Sequence, residues 1–122
     1  MQASEAFDKG AAYLDNKDLD KALVAFNEAI RRDPKYAEAY NGRGVTLALK
    51  GEVQRAVLDF SEAIRLEPDN PEFYRSRGYV YEEMGEQSQA DADLAKAEEL
   101  EARQSTGEGG QGEADGGRGT AE

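Results

Sequence analysis

The chain has 122 residues, with 15 Lys and Arg against 26 Asp and Glu, a formal net charge of −11 and a pI near 4.5. It contains no Cys, His or Trp, which removes disulfide scaffolds, thiolate or imidazole metal sites and every catalytic triad that sets Ser or Cys beside His. The acidic balance and a mean hydropathy of −0.82 also speak against nucleic acid, whose counterions a basic face must displace, and against an anionic membrane surface.

The start of the chain, MQASEAFDKG, has neither the basic opening nor the apolar run of a signal peptide. No stretch approaches the ~20 apolar residues of a membrane span, so a cytoplasmic location is expected. From residue 3 onward apolar residues recur at helical spacing, predicting helices over 3–16 and 19–32, then 37–50 and 53–66, then 71–84 and 87–101. In the middle pair, Ala56, Phe60 and Ala63 share one face, as do Tyr40, Gly44 and Leu47 on the helix before, with a break at Lys50–Gly51. The run EPDNP supplies an N-cap in Asn70 and a first-turn proline in Pro71. Beyond residue 102 the composition changes: seven of the 13 glycines lie between Gly107 and Gly119, with no aromatic or branched aliphatic residue among them. Such a segment cannot offset the entropy lost on ordering. A helical domain over 1–103 and a disordered, Gly-rich acidic tail over 104–122 are expected.

The strongest signal is a repeat of 34 residues, giving units of about 3–36, 37–70 and 71–102. Gly10, Gly44 and Gly78 are equivalent, as are Tyr13, Leu47 and Tyr81, Ala22, Ala56 and Ala90, Phe26, Phe60 and Leu94, and Ala29, Ala63 and Ala97. Pro34 and Pro68 close the first two units; Ala102 stands at that place in the third. A helical glycine costs roughly 1 kcal/mol relative to Ala. Its recurrence predicts that the first (A) helix of each unit presses its glycine against the small Ala22, Ala56 or Ala90 of the second (B) helix. On that basis Gly44→Leu is expected to overpack the seam.

Read in register, YNGRGVTLALKG with AVLDFSEAIRLEP, YRSRGYVYEEMG and ALVAFNEAIRRDP resemble the tetratricopeptide repeat family over about 100 residues. The resemblance implies an all-α fold, a right-handed superhelix of three antiparallel helix-turn-helix hairpins with the A helices lining the concave face. It also implies a protein- or peptide-binding role without catalysis. Both ends look capped. Leu23 with Ile30, and Val57 with Ile64, are placed to meet the next unit, whereas the third unit has Asp91 and Glu98 there; Glu5 stands where later units have Ala39 and Phe73. The acidic excess gathers in the third unit, with three basic and nine acidic residues. Glu98, Glu99 and Glu101 oppose the dipole of the last helix, which predicts fraying near residue 100.

The candidate concave-face residues are Phe7, Asp8, Ala11 and Leu14 of the first unit, Asn41, Val45 and Leu49 of the second, and Arg75, Tyr79 and Glu82 of the third. Phe7 has no preceding unit to bury it, so it either anchors a ligand or folds onto the turn below. Val45, Leu49 and Tyr79 either meet a ligand or complete packing between neighbouring A helices. Asn41 and Arg75 are placed to hydrogen-bond a peptide backbone, unless Arg75 only pairs with Glu72 or Glu82. Rims of Asp8, Asp15, Glu38, Glu82 and Glu83 favour a neutral or basic protein or peptide. Members of the family that hold acidic chaperone tails carry Lys, Asn and Arg at places matching Phe7, Ala11, Gly42, Glu72 and Ser76; none agrees, so that recognition is not expected. The alternative is a structural module that self-associates, as a weak homo-oligomer, without a peptide ligand. No enzyme, cofactor or metal site is expected: Asp91 with Asp93, and Glu82 with Glu83, are sequence neighbours that a helix does not bring face to face.

Overall fold

The computed structural model describes residues 2–106, and all regular structure within them is helical. The helices are α1 (Ala3–Asp15), α2 (Leu19–Arg32), α3 (Ala37–Leu49), α4 (Val53–Leu66), α5 (Pro71–Met84) and α6 (Gln87–Ser105). None is long and apolar enough to cross a membrane. Each odd-numbered helix packs on the even-numbered helix after it, and α2 and α4 lean on the next hairpin through α3 and α5. The odd helices also touch one another, α1 to α3 and α3 to α5, whereas among the described residues α2, α4 and α6 make no such mutual contacts. Helices that meet on one side and splay on the other bend the stack, so the inner surface belongs to α1, α3 and α5.

All three hairpin turns use the same cap. Lys17, Gly51 and Gly85, each 34 residues apart, hold φ at 63°, 88° and 82°. The following amides, of Asp18, Glu52 and Glu86, donate to the carbonyls of Tyr13, Leu47 and Tyr81 at 2.8–2.9 Å. This is the Schellman arrangement, which closes a helix on a left-handed residue and favours glycine there. Lys17 bears a Cβ in that region, at a cost of roughly 1–2 kcal/mol. Lys17→Gly is therefore expected to stabilise the chain by about 1 kcal/mol in urea denaturation, after some loss to glycine's greater unfolded-state freedom. At α5 the Asn70 Oδ1 accepts from the Glu72 amide at 3.0 Å, with Pro71 in the first turn, as the sequence predicts.

The glycine seam needs correction. A Cβ on Gly10 falls 2.7 Å from the Phe26 ring, one on Gly44 falls 2.6 Å from Phe60, and one on Gly78 falls 3.0 Å from Leu94. The glycines thus admit the large side chain of the B helix, rather than meeting its alanine. Ala22, Ala56 and Ala90 are fully buried in their own right. Phe26 is gripped twice, because a Cβ on Gly42 of the next hairpin falls 2.6 Å from Cε1 and Cζ at the tip of the same ring.

A second repeated device went unread in the sequence. Arg43 donates through Nε and a terminal nitrogen to the two carboxylate oxygens of Asp59, both at 2.8 Å, and Arg77 grips Asp93 in the same way at 2.7 and 2.8 Å. The remaining nitrogen reaches back to the previous hairpin, to Asn27 Oδ1 at 3.1 Å from Arg43 and to Ser61 Oγ at 3.0 Å from Arg77. Each arginine therefore ties its own hairpin shut and fastens it to its neighbour. Hydrogen bonding to the paired aspartate raises the pKa of Arg43 and of Arg77.

At the junctions between hairpins the aliphatic residues pack as the repeat comparison predicts. Leu23 and Val57 pack with Leu47 and Val80, Ile30 with Ala39, and Ile64 with Phe73. Asp91 and Glu98 are exposed, and exposed Glu5 accepts from the Gln2 amide at 2.7 Å. The final helix departs from expectation: it does not fray near residue 100 but runs to Ser105, taking in Gln104. Leu100 is 2% exposed, Glu101 pairs with Arg75, the Gln104 amide donates to the Asp69 carbonyl at 3.1 Å, and Arg103 lies in the last turn. Burial and these ties outweigh the opposed dipole. Positions 107–122 of the expected disordered tail lie outside the described residues.

Candidate functional site

The inner surface carries two adjoining grooves that share Val45. The first, about 430 Å3, is lined by Phe7, Ala11, Leu14 and Asp15 of α1, Glu38, Asn41, Gly42 and Val45 of α3, Glu72 and Phe73 of α5, and by Phe26 and Asn70. The second, about 210 Å3, is lined by Val45, Ala48, Leu49, Phe60, Ser76, Tyr79, Val80 and Glu83. A wider and more open depression of about 480 Å3 lies beyond Asn70 at the α4–α5 loop, between Glu67 and Gln104.

Local packing explains why these side chains sit there. Phe7 is neither free nor simply folded onto a turn: its ring stands 5.7 Å from that of Phe26 and 5.2 Å from that of Tyr36. One part of it joins the core with Ala6, Ala29 and Ala39, and the rest walls the first groove. Val45 likewise packs on the Leu47–Phe60 cluster while facing both grooves. Leu49 and Tyr79, 52% and 54% exposed, are not absorbed by packing between A helices. Asn41 carries an oddity: its Oδ1 is buried without a hydrogen-bond partner, a state that costs about 1–3 kcal/mol in a folded chain.

Neither groove is lined by a Lys or Arg. Among the described residues Asp15, Glu38 and Glu83 have no ion-pair partner, and only Glu72 is neutralised, by Arg75 at 2.7 Å. The field is felt at Tyr36, whose hydroxyl pKa is raised by burial first and then by Glu38, Asp8 and Asp33. Low dielectric beside Phe7 and Phe26 strengthens such uncompensated charge.

The structure brings together Phe7, Ala11, Leu14, Asn41 and Val45 in the first groove, and Val45, Leu49 and Tyr79 in the second. It leaves Asp8, Arg75 and Glu82 outside both. Arg75 is held by Glu72 and Glu101, so it is not an available backbone donor. Phe26, Phe60, Phe73, Val80 and Asn70 were missing from the sequence reading. Glycines at 10, 42 and 44 are the signal that could have found the first two, since a bare backbone lets a B-helix ring reach the inner surface. The carboxylate pairs do not converge: Asp93 is taken by Arg77 while Asp91 accepts from the Gln87 amide at 2.8 Å, and Glu83 but not Glu82 lines a groove.

A sequence profile described as Tetratricopeptide repeat matches residues 7–71, and a second of the same description matches 60–92. No curated protein is matched by the sequence. Similar solved structures include the TPR2B-domain:pHsp70 complex of yeast Sti1, at 28% identity and a TM-score of 0.82 over 86% of this chain and 84% of that one. The Arabidopsis OM64 TPR domain gives 28% and 0.79, over 83% and 84%. MamA gives 27% and 0.80 over 86% of this chain, which spans 61% of the MamA chain.

Proposed function

The chain belongs to the tetratricopeptide repeat family, and from that premise we propose that it is a non-catalytic adaptor that holds a protein or peptide segment in the hollow formed by α1, α3 and α5. The observation that carries this reading is the pair of adjoining inner grooves with half-exposed Leu49 and Tyr79, an apolar surface that nothing in the described chain covers. The yeast Sti1 relative, solved with pHsp70, supports a peptide-holding role in kind. Its partner does not transfer by charge. The hollow has no basic lining residue, and Glu72 stands where a chaperone-tail clamp needs a cation, so neutral or basic partners are favoured over acidic ones.

Leu49→Asp and Tyr79→Asp place a charge on exposed positions that the core does not use, and are expected to leave thermal unfolding within about 0.5 kcal/mol of the parent. Both are expected to abolish amide shift changes at residues 41–49 when partner peptides are titrated in NMR. Phe7 is unsuitable for this test because it packs on Phe26 and Tyr36. Peptide binding that survives both substitutions removes the reading.

A second reading, self-association, draws on Val24 and Leu58, each 70% exposed at equivalent places on α2 and α4. Salt-promoted dimers in sedimentation velocity, abolished by Val24→Ser with Leu58→Ser, would favour it, since salt screens the repulsion between copies of charge −11.

A further inference from the structure

The two grooves differ in chemistry, and the difference specifies a ligand. The polar lining of the first is Asp15, Glu38, Glu72, Asn41 and Asn70, carboxylates and amides without a cation, over an aromatic floor of Phe7, Phe26 and Phe73. The second is mainly apolar, with Leu49 and Tyr79 open to solvent and Glu83 at its edge. Val45 belongs to both, so one extended segment crossing it presents side chains to each. Independently of charge, Asn41 lines the first groove with a buried carboxamide oxygen that has no donor. The χ2 torsion of Asn is broad, so a small rotation turns that oxygen toward an incoming N–H.

We propose that the hollow is a two-part seat for an extended segment bearing a lysine or arginine close in sequence to a leucine, isoleucine or aromatic residue: the cation lodges against Glu38 and donates to Asn41, one turn further along the same face of α3, and the apolar side chain lies on Leu49 and Tyr79. The proposal rests on the concave-face reading above and sharpens it to one chemistry. Other occupants fit less well. The chain's own segment after residue 106 carries Glu108, Glu113, Asp115 and Glu122 against Arg118 and has nothing apolar for the second groove beyond alanine. A second copy brings the same net charge of −11, and each cation on its ridge around Val24 and Leu58 comes with an adjacent carboxylate that the groove would repel: Lys21 with Asp18, Arg31 with Glu28, Arg55 with Glu52 and Arg65 with Glu62. A cation seated against Glu38 gains full value because that carboxylate has no ion-pair partner among the described residues to give up.

The test uses blocked, fluorescein-labelled nonapeptides in a Ser-Ala background, with one Lys and one Leu separated by one to four residues. Controls replace Lys by Glu or Gln, or Leu by Ser. Calorimetry and anisotropy on the full chain at low and physiological salt are expected to give saturable binding only for peptides carrying both residues, weakening as salt rises. Glu38→Gln is expected to weaken the Lys peptide by about tenfold or more and to flatten its salt dependence. Glu38→Lys is expected to shift preference to the Glu control. Asn41→Leu is expected to leave the melting temperature unchanged or raised while weakening binding, a split that a merely structural asparagine would not show. Binding of Lys and Gln peptides with equal affinity, provided Leu49→Asp abolishes both, overturns the two-part seat and keeps the concave-face reading. Binding indifferent to Leu49→Asp, or no binding across the panel at millimolar peptide, overturns the seat; the former also counts against the concave-face reading, whose separate check is the NMR mapping above.

Discussion

Phe26→Ala is expected to destabilise the chain by about 3–5 kcal/mol, at the upper end for a truncated core aromatic. The ring is 1% exposed and lies between Gly10 of its own hairpin and Gly42 of the next. Cavities shrink when neighbouring side chains move in. Here two of the walls are bare helix backbone, which has no side chain to move, so little collapse is available and the void persists. The truncation also empties two seams at once, the one inside the first hairpin and the one joining it to the second. Phe60→Ala, whose ring meets Gly44, is expected to cost less than Phe26→Ala. The glycines give the reciprocal test. Gly10→Ala and Gly42→Ala each gain about 1 kcal/mol of helix propensity, yet their new Cβ atoms would lie 2.6–2.7 Å from a ring with nowhere to go. A net loss of about 1–3 kcal/mol is expected, shrinking by at least about 1 kcal/mol in a Phe26→Leu background. Guanidinium denaturation of the double-mutant cycle measures this, and strict additivity would refute the clasp.

Asp59→Ala is expected to cost about 2–4 kcal/mol, below or within the range for breaking a fully buried ion pair because the Arg43 side chain is still 26% exposed. The loss is larger than the worth of the contact itself, since the substitution strands a guanidinium between two hairpins with only Asn27 and the Tyr40 ring left to hold it. Removing both charges tells a different story. Arg43→Met with Asp59→Leu restores apolar volume and leaves no orphan charge, so it is expected to lie within about 1 kcal/mol of the parent. Thermal unfolding of Asp59→Ala and of the double variant checks this; a double variant as unstable as Asp59→Ala would show that the pair is a net source of stability. By contrast, the pairs Arg31–Glu28 and Arg65–Glu62 lie on the outer surface, where solvent screens them. Their removal is expected to leave unfolding nearly unchanged.

These two devices mark where sequence reading stopped short. Both repeat every 34 residues, Gly44 with Phe60 and Gly78 with Leu94 in one case, Arg43 with Asp59 and Arg77 with Asp93 in the other. The period was visible, but spacing along the chain states which residues are equivalent, not which residues touch. A small residue beside a small residue and a small residue beside a ring leave the same periodic trace, and the sequence reading chose the wrong one. The arginines fall outside the apolar pattern altogether, so the pattern says nothing of their partners, although Asp59 and Asp93 are buried. The candidate site divides in the same way. Phe7, Asn41, Val45, Leu49 and Tyr79 line the two grooves, since helical phase alone assigns a side chain to a helix face. Arg75 takes the alternative left open, pairing with Glu72, but its second partner Glu101 lies on α6, 26 residues away, where no local rule connects them.

By itself the sequence determined the helices, the breaks between them and the 34-residue equivalence of the hairpins. Each of these follows from local physics: a 3.6-residue apolar rhythm and an asparagine cap before a proline. Only the tertiary structure decided that Phe26 spans two seams, that Arg43 and Arg77 fasten neighbouring hairpins, and that Asn41 faces the hollow with an unmet hydrogen bond. Those outcomes depend on how closely helices approach and which side chains fill the gap, and close packing settles that between residues distant in the chain.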